Sequence, residues 1–250
     1  MTKLIRTLTL LVLALPASLA AQEGDNEVID EPPDRWRILL DVTYSGASGN
    51  QNLQFFDGGF RVTHLDTDVA EIEVATRART GTDDGERIAE RYQMSIKADA
   101  YPEARWSPFV FGSAERDRFK QLDLRSNAGG GVKYTIVRDE ETEVSLSMAV
   151  LHSHEDFRTS GDSVDDGRLS WRFKGLRELR EGVVVQNVSF YQPVWDAGND
   201  YQASSDTQLN VQVFGGLAMT AGYQYERDST PAEGVKPDDH YVKVGVQVQL

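Results

Sequence analysis

The strongest regularity in the chain is a period of two. Trp36, Ile38, Leu40, Val42 and Tyr44 alternate with Arg37, Leu39, Asp41, Thr43 and Ser45. The same rhythm runs through Tyr92 to Ala100, Val144 to Val150, Leu169 to Phe173, Leu217 to Tyr225 and Val242 to Leu250. Successive side chains of an extended segment point to opposite faces, so the pattern predicts strands with one apolar and one polar side. Twelve strands are predicted, over 35–45, 52–63, 69–80, 88–100, 107–115, 124–136, 142–151, 167–175, 183–192, 205–214, 216–227 and 240–250. The second, fifth and ninth alternate poorly, which leaves ten as an alternative count. No segment carries a helical period.

The connections alternate between short and long. Short ones fall at His64–Asp68, Asp139–Glu141, Arg177–Gly182 and Phe214–Gly216; long ones at 152–166, 193–204 and 228–239. Transmembrane barrels show this asymmetry, with tight turns on the periplasmic side and longer loops outside. Aromatic residues gather near predicted strand ends. Trp36, Tyr101, Trp106 and Tyr134 fall at one end, and Tyr44, Tyr223, Tyr225 and Tyr241 at the other. A ring with a polar tip belongs at the boundary between hydrocarbon and water. Each predicted strand is also near the ~9–11 residues that a tilted strand needs to cross a bilayer.

A soluble sandwich or a lipocalin-type barrel also alternates. The N-terminus and the composition favour the membrane reading. Met1–Arg6 is short and basic, Leu8–Leu15 is apolar, and Ser18-Leu19-Ala20 has the small-x-small form of a cleavage site. Residues 1–20 therefore read as a signal peptide, 21–34 as a flexible acidic lead-in, and 35–250 as the barrel. The apolar run is too short for a spanning helix. The chain of 250 residues has no cysteine, which excludes disulfides, thiol catalysis and cysteine metal sites. Its formal charge of −14 argues against a nucleic-acid partner. The fold class expected is all-β, an antiparallel up-and-down transmembrane barrel of the cell outer membrane.

Lys243-Val244-Gly245-Val246-Gln247-Val248-Gln249-Leu250 is similar to the terminal signal of outer-membrane barrels, although the last residue of that signal is usually aromatic. The resemblance implies the barrel-assembly machinery as a partner, alongside outer-membrane lipid and lipopolysaccharide. Three further stretches carry a family resemblance. They are Ser45-Gly46-Ala47-Ser48-Gly49-Asn50, then Phe109-Val110-Phe111-Gly112 with Glu115-Arg116-Asp117-Arg118-Phe119, then Leu124-Arg125 with Gly129-Gly130-Gly131-Val132-Lys133-Tyr134. Together they resemble the YdiY-like, salt-induced outer-membrane protein family, whose function is unknown. The resemblance runs from about Trp36 to Leu250; it implies a barrel location and supplies no catalytic residues.

The chemistry on offer is mostly charge on the polar faces. Arg77, Arg79, Arg91, Lys97, Arg125, Lys133, Arg172 and Lys174 are the principal lumen-facing candidates, with Arg37, Arg61, Arg168 and Lys243 completing the cations. Asp41, Asp57, Glu71, Glu73, Asp99, Asp206 and Glu226 are the expected acidic set. This excess of cations is compatible with a lumen that favours anions, or with salt bridges that plug a narrow barrel.

His152 and His154 would share a face if their strand continued, but the sequence offers no firm third metal ligand. His64, His152, His154 and His240 have no Ser or Asp partner at a spacing that supports a hydrolase. Gly129-Gly130-Gly131 lacks the Lys-Ser/Thr and the following helix of a phosphate loop, and reads as a place where a strand bends or packs closely. Acidic residues cluster in two loop regions, Glu155, Asp156, Asp162, Asp165 and Asp166 in one, Asp228, Glu233, Asp238 and Asp239 in the other. They read as solvated faces or weak cation sites. No cofactor, metal or catalytic residue is expected. The function classes left are a narrow channel for small solutes or an envelope-stress protein, then a structural or adhesive barrel, then a hydrolase.

Overall fold

The computed structural model describes residues 36–47, 53–66, 69–158 and 160–249. The segments expected to form a signal peptide and an acidic lead-in, together with Leu250, lie outside the described residues. Twelve strands follow one another: β1 (Trp36–Ala47), β2 (Leu53–Asp66), β3 (Ala70–Asp83), β4 (Glu86–Ala100), β5 (Trp106–Asp117), β6 (Leu122–Arg138), β7 (Thr142–Phe157), β8 (Ser163–Arg180), β9 (Val183–Pro193), β10 (Tyr201–Phe214), β11 (Leu217–Asp228) and β12 (Asp238–Gln249). Each pairs antiparallel with its neighbours in sequence, and β1 pairs with β12, so the sheet closes into a barrel. Closure leaves no strand edge without a ladder partner, which a bilayer requires of any spanning sheet. Among the described residues the β1–β12 seam is the shortest ladder, running from Leu39↔Gln249 to Thr43↔Gly245.

The outer face is apolar and open. Val242, Val244 and Val246 of β12 are 74, 55 and 43% exposed, and Leu146, Met148 and Val150 of β7 are close to half exposed. Ile72, Ile96, Val110, Trp171 and Met219 continue the belt around the ring. So much contiguous apolar surface is not stable against water, and hydrocarbon is the solvent that suits it. Aromatic pairs mark the end that carries the short turns: Trp36 stacks near His64 with ring centroids 4.3 Å apart, and Trp106 near Tyr134 at 4.5 Å. The barrel is a membrane barrel, and its place is the outer membrane.

The inner face is polar and tightly filled. Arg79, Arg91, Asp99, Glu115, Lys133, Glu155 and Lys243 are all buried there. The ninth strand shows why three strands alternate poorly. Its inward residues Val184, Val188 and Phe190 are buried and apolar, while its outward residues Asn187 and Ser189 are polar. The outward pair is neutralised by a hydrogen-bonded ladder with β10. Asn187 Nδ2 donates to Thr207 Oγ1 at 2.8 Å and to Ser205 Oγ at 3.1 Å, and Ser189 Oγ donates to Asn187 Oδ1 at 3.0 Å. In β5, Phe109 and Phe111 face inward beside the outward Val110, which also blurs the period.

Two expectations about the loops are corrected. The regions 152–166 and 193–204 are not long loops. β7 and β8 continue as a hairpin to Phe157 and from Ser163, and β10 begins at Tyr201. Alternation stops being apolar beyond the membrane but the hydrogen-bond ladder does not, so polar residues there are still strand. The β3–β4 connection is a two-residue turn, Asp84-Gly85, with φ of 48° and 85° at the two residues. Positive φ at both centres is what a tight hairpin turn needs, and Asp-Gly adopts it readily. Inside β6, a Cβ on Gly131 would collide with the Met148 carbonyl oxygen and sit 2.7 Å from Ala149 Cα, so glycine lets β7 approach closely.

Candidate functional site

The site is the lumen. Its dominant feature is a set of ion pairs that cross it near the end carrying the longer loops. Arg91 on β4 pairs with Glu115 on the adjacent β5 at 2.7 Å and reaches Glu226 on β11 at 2.6 Å. Arg79 on β3 donates to Gln224 on β11 at 3.1 Å and pairs with Asp57 at 2.6 Å. Arg125 on β6 holds Glu155 with two hydrogen bonds, at 2.9 and 3.1 Å, and reaches Asp228 at 3.1 Å. β3, β4 and β6 lie far round the ring from β11, so these contacts form a septum across the lumen rather than a ladder along its wall.

Lys120 fastens the septum from above. It sits on the β5–β6 connection with its ammonium 2.5 Å from Glu226 and 3.1 Å from Asp239. Burial is the largest influence and disfavours its charged form, but the surrounding acidic groups, Glu226 foremost and then Glu115, together outweigh it and raise the Lys120 pKa above the usual lysine value. The β11–β12 connection closes over the same place. Pro231, Ala232 and Val235 line a small cavity with Leu122 and Phe157 from β6 and β7. Tyr241, expected in the outer aromatic girdle, instead lies inside beneath Arg79, whose guanidinium carbon is 4.1 Å from the ring centre.

The eight principal cations separate into two groups. Arg77, Arg79, Arg91 and Arg125 belong to the septum and its flank, Arg77 pairing with Asp57 at 2.8 Å and Asp41 at 3.0 Å. Lys97, Lys133 and Arg172 line a second cavity on the side of the septum toward the short turns. Lys174, beside them on β8, pairs with Glu143 at 3.5 Å. Lys97 is 2.6 Å from Asp99.

The expected surplus of cations is reduced. Glu115, Asp117, Glu143, Glu155 and Asp228 also bear on inward cations. Glu155 and Asp228, in stretches whose sequence reads as solvated acidic faces or weak cation sites, instead hold Arg125. Glu115 and Asp117 share the odd-numbered parity of Ser113, and that parity was the available signal. Glu155 likewise continues the Ser145, Ser147, Ser153 series.

The histidines bear little on this. His152 Nε2 is 3.2 Å from Asp165, and His154 Nδ1 is 3.0 Å from the same carboxylate, on the exposed β7–β8 hairpin. Among the described residues no group of three or more His, Asp or Glu side chains is arranged to hold a metal ion. His240 contacts the Tyr223 hydroxyl at 2.7 Å, and His64 packs on Trp36.

A family model described as a protein of unknown function, DUF481, matches residues 40–250. The chain belongs to the DUF481 family. No curated protein matches it. The fold of this DUF481 barrel is similar to that of a solved NanC porin, at a TM-score of 0.53 and 10% identity, over 86% of this chain and 100% of that one. It is also similar to the COG4313 outer membrane channel from Pseudomonas putida F1, at a TM-score of 0.56 and 12% identity, over 91% of this chain and 99% of the other. At such identities the likeness concerns the fold alone. The septum residues of the DUF481 barrel must therefore be read on their own chemistry.

Proposed function

We propose that the protein is a narrow outer-membrane channel for small solutes, whose path is throttled by the septum. The observation that carries this reading is the division of a polar lumen. One cavity lies at the septum, bounded by Arg91, Glu115, Arg125, Gln202 and Glu226. A second lies beyond it toward the short turns. A wall built only for strength would be better served by apolar packing, because replacing buried ion pairs by well-packed apolar groups is often neutral or stabilising. Retained charge across a lumen is what filters and gates use.

The density of the septum favours a second reading, a structural barrel that serves envelope integrity under stress and passes nothing. In either case the apolar belt would meet outer-membrane lipid and lipopolysaccharide. β12, which closes the ring onto β1, would be the segment handed to the barrel-assembly machinery. An enzymatic role has no support from the contacts of the four histidines.

Recording from single molecules in planar bilayers tests the choice. A channel gives small, resolvable steps that grow when Glu226→Gln loosens the septum. Silence from both the native protein and that variant would replace the channel by the structural barrel.

A further inference from the structure

The cavity on the turn side of the septum differs in chemistry from the septum itself. Phe109 and Phe111 of β5 and Phe190 of β9 contribute aromatic faces, and most of the lining is apolar. Lys97, Lys133 and Arg172 stand among these rings, with Glu73 as the carboxylate of the lining and Asp99 2.6 Å from the Lys97 ammonium. Arg61 engages the Glu73 carboxylate at 3.4 Å, which lessens its repulsion of an anion.

Two of the cations lie over aromatic faces: the Arg172 guanidinium is 5.6 Å from the Phe190 centroid and the Lys97 ammonium 5.7 Å from that of Phe109. A separate observation points to a ligand. The Ser113 hydroxyl also lines this cavity, is 5% exposed, and has no hydrogen-bond partner among the described residues. A buried hydroxyl without a partner carries a free-energy cost that a bound acceptor would relieve.

We propose that this cavity binds a small carboxylate with a flat apolar body, that is, an aromatic carboxylate. The ring of such a ligand matches the phenylalanine faces, and its carboxylate matches Lys133, Arg172 and the Ser113 hydroxyl. A bare inorganic anion would leave the aromatic faces unused, and a neutral aromatic would bring no charge to the cations. The proposal deepens the channel reading and rests on it for the route by which the ligand arrives.

The experiment is titration calorimetry on the folded full barrel in detergent micelles, with benzoate, benzyl alcohol and acetate as probes. Benzoate binds saturably at one site, and benzyl alcohol and acetate bind at least about tenfold more weakly, the factor expected for losing a charge-assisted hydrogen bond or the ring contact. Lys133→Met and Arg172→Met each weaken benzoate by about tenfold on the same grounds, with folding verified by the compact band of the unheated sample on a gel.

If either variant does not fold, Ser113→Ala carries the test, and benzoate then weakens severalfold in an intact barrel. Absence of saturable benzoate binding to the native barrel overturns the proposal, as does undiminished binding in the folded variants. Bilayer currents without benzoate binding would remove this site and leave the channel. Benzoate binding without currents would do the reverse.

Discussion

The Arg91 guanidinium and the Glu226 carboxylate meet at 2.6 Å although their strands lie on well-separated parts of the ring. Glu226 also takes Lys120 at 2.5 Å and accepts from Gln224 at 2.8 Å, so one carboxylate joins both walls and the loop above. Removing its charge leaves the buried Arg91 and the partly buried Lys120 facing each other. Glu226→Gln should therefore lower unfolding stability by about 3 kcal/mol, as for other broken buried pairs. Adding Lys120→Met should recover part of that loss, because the other carboxylate on Lys120, Asp239, reaches solvent. Urea titration of the refolded barrel measures both.

Lys120 supplies a prediction with a defined sign. Its pKa is raised in the folded protein, so its contribution is complete below the unfolded value near 10.5 and is lost as pH climbs through the higher folded value. The stability gap between the native protein and Lys120→Met should stay constant from about pH 7 to pH 10 and narrow only beyond that. A gap that closed near neutrality would mean that the ammonium does not hold Glu226 in solution. Thermal melts across that range give the answer.

The outward orientation of the belt can be tested at Val244, which is 55% exposed and lies among Val242 and Val246. Val244→Arg should cost about 2–4 kcal/mol for folding into lipid vesicles, the range for a cation near the midplane of a barrel. On a water-facing surface the same change would be close to neutral. Comparing vesicle-folding equilibria of the two proteins separates the cases.

At Gly131 the test is steric. A branched side chain there meets the Met148 carbonyl and Ala149, both backbone neighbours on β7. Gly131→Val should destabilise by about 3 kcal/mol or more, or block assembly, since overpacking against backbone has no cheap relaxation. The compact unheated gel band should weaken or disappear.

Much of the architecture was legible because lipid imposes a simple rule on sequence. Outward positions such as Leu146, Met148 and Val150 must be apolar while inward Ser145 and Ser147 need not be, and that contrast repeats every second residue. Two things escaped the rule. Strand ends outside the bilayer have water on both faces, so β7 and β8 read as loop where they remain paired. The charge balance of the lumen depends on residues at those same ends, including Glu155 and Asp228, so the surplus of cations was overestimated. The cations lining the turn-side cavity, Lys97, Lys133 and Arg172, were legible as polar-face residues. Their grouping with Phe190 was not, because β9 carries apolar residues on both faces, Val184, Val188 and Phe190 inward and Val183, Val185 and Tyr191 outward, so its pattern does not mark the lumen side.

The ring is fastened where its first and last strands meet, over the brief run from Leu39 to Thr43. A belt gives at its buckle. Amide hydrogens on that stretch should be among the quickest of the wall to exchange with deuterium, and an inserting barrel would complete this join after the rest of its circumference had formed. Any sideways opening, whether to admit a lipid or a guest strand, would begin there.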